Sequence, residues 1–138
     1  MKTLTDIDQL LNWLREHAPQ AKLTTDSRRV GVGDVFFALT VPGGRGDGRD
    51  FISNAIERGA AAVVYAADGA SVSTLSVPAI AYQNLYQQLG DIGNAWYNNI
   101  QADMFNVAIT GTNGKTSCSQ WIARALSLTG TSCTVVGT

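Results

Sequence analysis

Three consecutive runs decide the fold class: Val35-Phe36-Phe37-Ala38-Leu39, then Asp50-Phe51-Ile52-Ser53-Asn54-Ala55-Ile56-Glu57-Arg58, then Ala60-Ala61-Ala62-Val63-Val64-Tyr65-Ala66. The first is apolar throughout, the pattern of a strand buried on both faces. The second places Phe51, Ala55 and Ile56 inward on a helix that Gly59 stops. The third reads as another buried strand. Strand, helix and strand in alternation predict an α/β layered structure.

Working upstream, Ile7, Leu10, Leu11 and Leu14 recur at spacings of three and four, which predicts a helix from Asp6 to His17. Thr5 or Asp6 can cap its start, and Pro19 closes it. Lys22 to Thr25 reads as a short strand, and Asp26-Ser27-Arg28-Arg29 as a polar turn. Gly33-Asp34 turns the chain into the Val35 strand. Between that strand and the next helix, Pro42 to Gly48 holds glycines at 43, 44, 46 and 48. Such a backbone bends freely or lets a ligand come close.

Downstream, Ala67 to Ser76 reads as a surface loop and Val77 to Tyr82 as a strand. Leu85, Leu89, Ile92 and Trp96 form one stripe of a helix from Asn84 to Tyr97. Asn98 to Asp103 is the best boundary or loop. Phe105 to Ile109 is expected to be a strand, Lys115 to Leu128 a helix stopped by Gly130, and Thr134-Val135-Val136 the start of a further strand. Trp121 is expected in a core.

Composition limits the function classes. Of 138 residues, 45% are hydrophobic and 15% charged, with a net charge of -1. That balance is globular and gives no electrostatic case for binding nucleic acid. No apolar run is long enough to span a bilayer, and no basic start leads into an apolar stretch. Cys118 and Cys133 make neither a disulfide framework nor a metal cluster, so a soluble cytoplasmic protein with reduced thiols is expected. His17, the single histidine, suits a helix C-terminus and is given no catalytic role.

The sharpest motif is Thr110-Gly111-Thr112-Asn113-Gly114-Lys115-Thr116, between an expected strand and an expected helix. Glycines allow successive N–H groups to converge on phosphate oxygens, and a helix N-terminus adds free donors and a positive dipole end. Lys115 would place a full charge near the outer phosphates, and the Thr116 hydroxyl could ligate a phosphate-bridging Mg²⁺. The general phosphate-loop pattern asks for glycine where Ile109 stands. The segment is therefore a variant loop or an ordinary strand-turn-helix. Ser117 and Ser119 are either further phosphate contacts or first-turn helix residues. Cys118 reads as a small helix residue rather than a nucleophile.

Gly-Thr-Asn-Gly-Lys-Thr at 111–116 resembles the ATP-loop motif of the Mur ligases and the related folylpolyglutamate synthetases, in which the first glycine also stands at the Gly111 position. Asp26-Ser27-Arg28, Gly33 to Ala38, Asp47 to Ile52 and Ala55 to Val64 are similar to the uridine-nucleotide-binding domain of the Mur ligases. They are most like the branch that extends UDP-N-acetylmuramoyl-L-alanyl-D-glutamate. The branch that adds D-alanyl-D-alanine commonly carries Asp-Thr-Arg at the first motif, and Asp47-Gly48-Arg49 also favours the tripeptide-forming branch.

The resemblance implies an N-terminal α/β UDP-substrate-binding domain at residues 1–83, then a linking helix and the start of a P-loop ATPase domain with parallel sheet at 84–138. It implies an ATP-dependent, Mg²⁺-requiring amide ligase of peptidoglycan synthesis. ATP phosphorylates the D-glutamyl carboxylate, and the amine of an amino-acid substrate, meso-diaminopimelate or L-lysine, attacks the acyl phosphate. Gly111, Thr112, Asn113, Gly114, Lys115, Thr116 and Ser117 would hold ATP, with Lys115 catalytic and Thr116 on the metal through the nucleotide. Thr25, Ser27, Gly44, Arg45 and Gly46 would hold the UDP end. Family members often carry His or Gln where this loop reads Gly44-Arg45-Gly46, so individual contacts can differ. Arg45 could also simply be solvated, and Arg28 and Arg49 could pair with Asp26, Asp34 or Asp47 or touch substrate. The competing readings are a Mur ligase that adds D-alanyl-D-alanine and a UDP-sugar or nucleotide-binding module without catalysis. At this length, a fragment ending early in the ATPase domain and inactive alone is expected.

Overall fold

The computed structural model describes residues 3–69 and 72–137. Residues 70 and 71 of the expected 67–76 loop lie outside the described residues. The chain forms two compact units, Met1–Ala102 and Asp103–Thr138.

The first unit is a five-stranded, wholly parallel sheet. Its strands are β1 (Thr3–Leu4), β2 (Leu23–Thr24), β3 (Val35–Ala38), β4 (Ala62–Ala66) and β5 (Ala79–Tyr82), in the order β1-β5-β4-β3-β2. Helices α1 (Ile7–His17), α2 (Ile52–Glu57) and α3 (Leu85–Trp96) cover it. Period-two alternation divides each strand between two cores. Val35, Phe37, Ala62, Val64, Ile80 and Tyr82 face α1 and α3, whereas Phe36, Ala38, Val63, Tyr65 and Ala81 face α2. All four residues of β3 and all five of β4 are buried, as their apolar runs predict. β1 was not legible in the sequence; among the described residues its two residues pair with β5.

Local chemistry sets the helix limits. Asp6 caps α1 by accepting from the Gln9 amide at 3.0 Å, and Leu10, Leu11 and Leu14 enter the core. His17 Nδ1 donates to the Trp13 carbonyl at 2.9 Å, and its ring stacks on that of Trp13. Gly59 ends α2 at φ 101, a conformation that favours glycine.

One inward assignment changes. Phe51 is 52% exposed, and Ile52 is buried in its place. The segment opens as a 3-10 turn, Gly48–Phe51, whose tighter period rotates Phe51 outward before α2 begins. A boundary after residue 83 would cut β5 from α3. Leu85 and Ile92 of α3 are buried with α1, and Trp96 Nε1 donates to the Ala21 carbonyl at 3.1 Å, so α3 is built into the first unit.

The second unit holds α4 (Lys115–Leu128). The expected strands at 105–109 and 134–136 are not formed. A strand exists through a hydrogen-bonded neighbour, and neither segment has one. No described side chain of this unit is buried, and Trp121 is 71% exposed rather than in a core. Within residues 103–137 a single helix has no sheet to lie on.

Candidate functional site

Because every strand of the first unit runs the same way, all carboxyl ends meet at one edge of the sheet. In open α/β sheets that edge is where ligands bind. Thr25 and Ser27 follow β2, and Gly44, Arg45 and Gly46 follow β3, the strand beside it. The fold therefore gathers both expected uridine-nucleotide segments at the same end of neighbouring strands.

The β2 exit is built on Asp26. Its carboxylate caps a 3-10 turn, Ser27–Arg29, accepting from the Arg28 amide at 3.0 Å. The Arg28 guanidinium returns to it through Nε and Nη2, each at 2.9 Å. Bonding from the Arg28 side chain, then from its amide, holds Asp26 down to about 2. Arg28 is correspondingly raised by its bond to Asp26. Ser27 is buried under the turn. Thr25 lines a cavity of about 430 Å³ with Thr24, Asp26, Arg29, Phe37 and Tyr97. Tyr97 also accepts the Leu23 amide at 3.0 Å, covering a donor on the β2 edge.

The β3 exit is the glycine-rich loop. Val41 to Gly44 make a turn, with the Gly44 amide donating to the Val41 carbonyl at 2.9 Å. Pro42 fits the second position of a type II turn, and Gly43, at φ 71, supplies the left-handed third. Arg45 is exposed at the tip. An antiparallel bridge between Thr40 and Asp47 closes the base.

Asp47 repeats the construction at Asp26. It caps the turn Gly48–Phe51 through the Arg49 amide at 2.9 Å, and Arg49 bonds both carboxylate oxygens. Asp47 is lowered chiefly by that side-chain bond. The Asp26 and Asp47 pairs are the ionic contacts that the sequence left open for Arg28 and Arg49, and the signal was the repeated Asp-X-Arg spacing. Tyr97 and the cavity-lining part of α3 carried no signal, because an amphipathic stripe does not show what lies beyond its helix end.

In the second unit, Gly111 (φ 148) and Gly114 (φ 77) take conformations that favour glycine. Gly114 stands at the N-cap of α4 with no side-chain cap, and the first i to i−4 bond runs from the Cys118 amide to the Gly114 carbonyl. The leading amides of α4 are thus left open, as a phosphate site needs. Lys115 Nζ folds back on the Gly111 carbonyl at 2.5 Å, beside those amides. Thr112, Asn113, Thr116 and Ser117 are exposed around them. Ser119 is turned away, donating to the Thr116 carbonyl at 2.8 Å. The donor set fits a polyphosphate. Among the described residues no group of three His, Cys, Asp or Glu could hold a metal.

The sequence profile described as "Mur ligase family, catalytic domain" matches residues 21–97, more than half of the chain, from just before β2 to the end of α3. The chain belongs to the Mur ligase family. Among its Mur ligase relatives, a UDP-N-acetylmuramoyl-L-alanyl-D-glutamate–2,6-diaminopimelate ligase of Janthinobacterium sp. (strain Marseille) is 48% identical over 137 residues, covering 99% of this chain and 27% of the relative. The ligase of the same name from Pseudomonas putida is 48% identical over 118 residues, covering 85% and 23%. The chain thus spans about a quarter of the length of the curated Mur ligases it matches. Of solved Mur ligases, a structure of a UDP-N-acetylmuramoyl-L-alanyl-D-glutamate–2,6-diaminopimelate ligase superposes with a TM-score of 0.50 at 30% identity, covering 91% of this chain and 27% of the other. MurF from Acinetobacter baumannii gives 0.61 at 20% identity, covering 86% and 27%, a likeness of fold. MurF from Thermotoga maritima, crystallised with ADP, gives 0.53 at 24%, covering 78% and 23%. No helix among the described residues is long and apolar enough to cross a membrane.

Proposed function

We propose that this chain is the nucleotide-handling part of an ATP-dependent amide ligase of peptidoglycan precursor synthesis, which joins diaminopimelate to UDP-N-acetylmuramoyl-L-alanyl-D-glutamate. The observation that carries the reading is the 48% identity to a diaminopimelate ligase across 99% of the chain, spanning both the Asp26 and Asp47 segments and the phosphate loop. In this reading the first unit holds the UDP end of the substrate and the second begins the ATP-binding domain.

The chemistry follows from the residues. Thr25 and Ser27 offer hydroxyls and backbone groups at the β2 exit. Gly44 and Gly46 bring bare backbone close to a ligand, and Arg45 offers a charge for the diphosphate. Gly111 to Ser117 cradle the ATP phosphates with their amides. Lys115 neutralises charge on the phosphoryl group as it moves to the D-glutamyl carboxylate, and Mg²⁺, positioned by Thr116, would supply the remaining charge stabilisation. The amine of the incoming amino acid then attacks the acyl carbon, an amide forms, and inorganic phosphate leaves.

Calorimetric titration tests both halves. The chain should bind UDP-N-acetylmuramoyl-L-alanyl-D-glutamate, with UDP competing, and should bind Mg-ATP separately. Lys115→Ala should weaken the ATP isotherm about tenfold or more while leaving the UDP isotherm unchanged. Absence of UDP-substrate binding refutes the first assignment, and an unchanged ATP affinity in the variant refutes the second. Phosphate release with all three substrates should be absent for this chain alone.

A further inference from the structure

The two Asp-X-Arg segments fold alike but end differently. In both, an aspartate caps a 3-10 turn and the arginine two residues later bonds back to it. Arg28 stops there, with its side chain 85% exposed. Arg49 goes further, and its side chain is only 12% exposed. Its Nη1 donates to the Ala66 carbonyl at 3.1 Å and to the Asp68 carbonyl at 2.7 Å, at the end of β4.

Counting donors separates two roles. A guanidinium has five N–H groups. In Arg49, Nε serves Asp47, Nη1 serves two carbonyls and Nη2 serves Asp47 again. A side chain so occupied has almost nothing left for a ligand. What it does hold is the base of the glycine-rich loop. That loop leaves β3 and returns at Asp47, where the Thr40–Asp47 bridge and the Gly48 amide on the Leu39 carbonyl, at 2.8 Å, close it. Between these ties, the backbone bond that residues 41–46 make among the described residues is the Val41–Gly44 turn bond. Among the described residues, the hydrogen bonds from the base of this loop to the end of β4 run through the Arg49 side chain.

We infer that Arg49 is a positioning residue, which fixes the Gly44-Arg45-Gly46 loop over the carboxyl end of the sheet by forking Asp47 and tying it to the end of β4. Its bearing on substrate rests on the function proposed above. Lysine cannot replace it, because a point charge cannot serve a carboxylate and two carbonyls in one plane.

The test uses the full chain, wild type, Arg49→Ala and Arg49→Lys, read by NMR. Both variants should keep the dispersed amide signals of Val63 and Val64, with exchange within about twofold of wild type. The Gly48 amide should exchange about tenfold faster, the loss of roughly one hydrogen bond's protection. Order parameters of Gly43 to Gly46 should fall below about 0.6. Titration with UDP-N-acetylmuramoyl-L-alanyl-D-glutamate should then show about tenfold weaker affinity in Arg49→Ala, and weakening in Arg49→Lys as well. Unchanged loop order and Gly48 exchange in both variants would overturn the inference, and so would a loosened loop with unchanged affinity. If Arg49→Ala loses its dispersed spectrum, Arg49→Lys decides alone. If the wild type binds no nucleotide, the functional reading fails, and the loop measurements still decide whether Arg49 positions the loop.

Discussion

Gly48 has no left-handed φ to protect, and yet it should be among the least replaceable residues of the first unit. A Cβ built there would lie 2.5 Å from the Leu39 carbonyl oxygen, 2.6 Å from the Leu39 nitrogen and 3.0 Å from the Ala38 carbonyl carbon. All three are backbone atoms at the end of a fully buried strand, so no flexible side chain can swing aside. Relief needs a shift of roughly 1 Å, and such overpacking costs about 1–3 kcal/mol. That shift also breaks the Gly48 amide bond to Leu39, at about 1 kcal/mol. Gly48→Ala should therefore lose about 2–4 kcal/mol, which for a unit of this size lowers Tm by about 10–25 °C. Gly93 makes the internal contrast. It sits inside α3, and a Cβ there meets nothing within 4 Å. Gly93→Ala should gain about 0.5–1 kcal/mol from helix propensity. Urea and thermal unfolding followed by far-ultraviolet circular dichroism measures both. A Gly48→Ala variant within 0.5 kcal/mol of wild type, or two variants shifting in the same direction, would refute the steric argument.

Two further outcomes are expected. Asp26 should titrate near 2 by carboxyl ¹³C shifts, and Arg28→Ala should return it toward 3.8. Because the folded value is the lower one, its contribution to stability is complete above 3.8 and is lost as pH falls through about 2; a wild-type midpoint near 3.8 would contradict the hydrogen-bond geometry. Tyr97→Phe removes the acceptor of the Leu23 amide and should cost about 0.5–1.5 kcal/mol, with faster exchange at that amide. Equal Leu23 exchange in both proteins would show that the bond does not hold the β2 edge.

Local patterns carried much of the fold. The apolar runs at 35–39 and 60–66, the helical stripes of α1 and α3, and the stop at Gly59 are set by neighbours within a few residues, so the sequence was sufficient to name them. The same holds for the start of α4 at Lys115, which Gly114 precedes at the N-cap. Legibility stopped where a partner far along the chain decides the outcome. β1 is two residues long and is a strand only because β5 lies beside it. Residues 105–109 and 134–136 have the composition of strands and form none, for want of such a neighbour.

By itself, then, the sequence determined the α/β class and most helix limits, because propensity, capping and hydrophobic period are local quantities. Only the tertiary structure decided that Thr25, Ser27 and Gly44 to Gly46 share one end of the sheet, because strand order and direction depend on pairing across the chain. It alone also separated Arg28 from Arg49. Both sit in the same three-residue spacing, and what distinguishes them is whether the carbonyls of Ala66 and Asp68, seventeen and nineteen positions away from Arg49, come within reach.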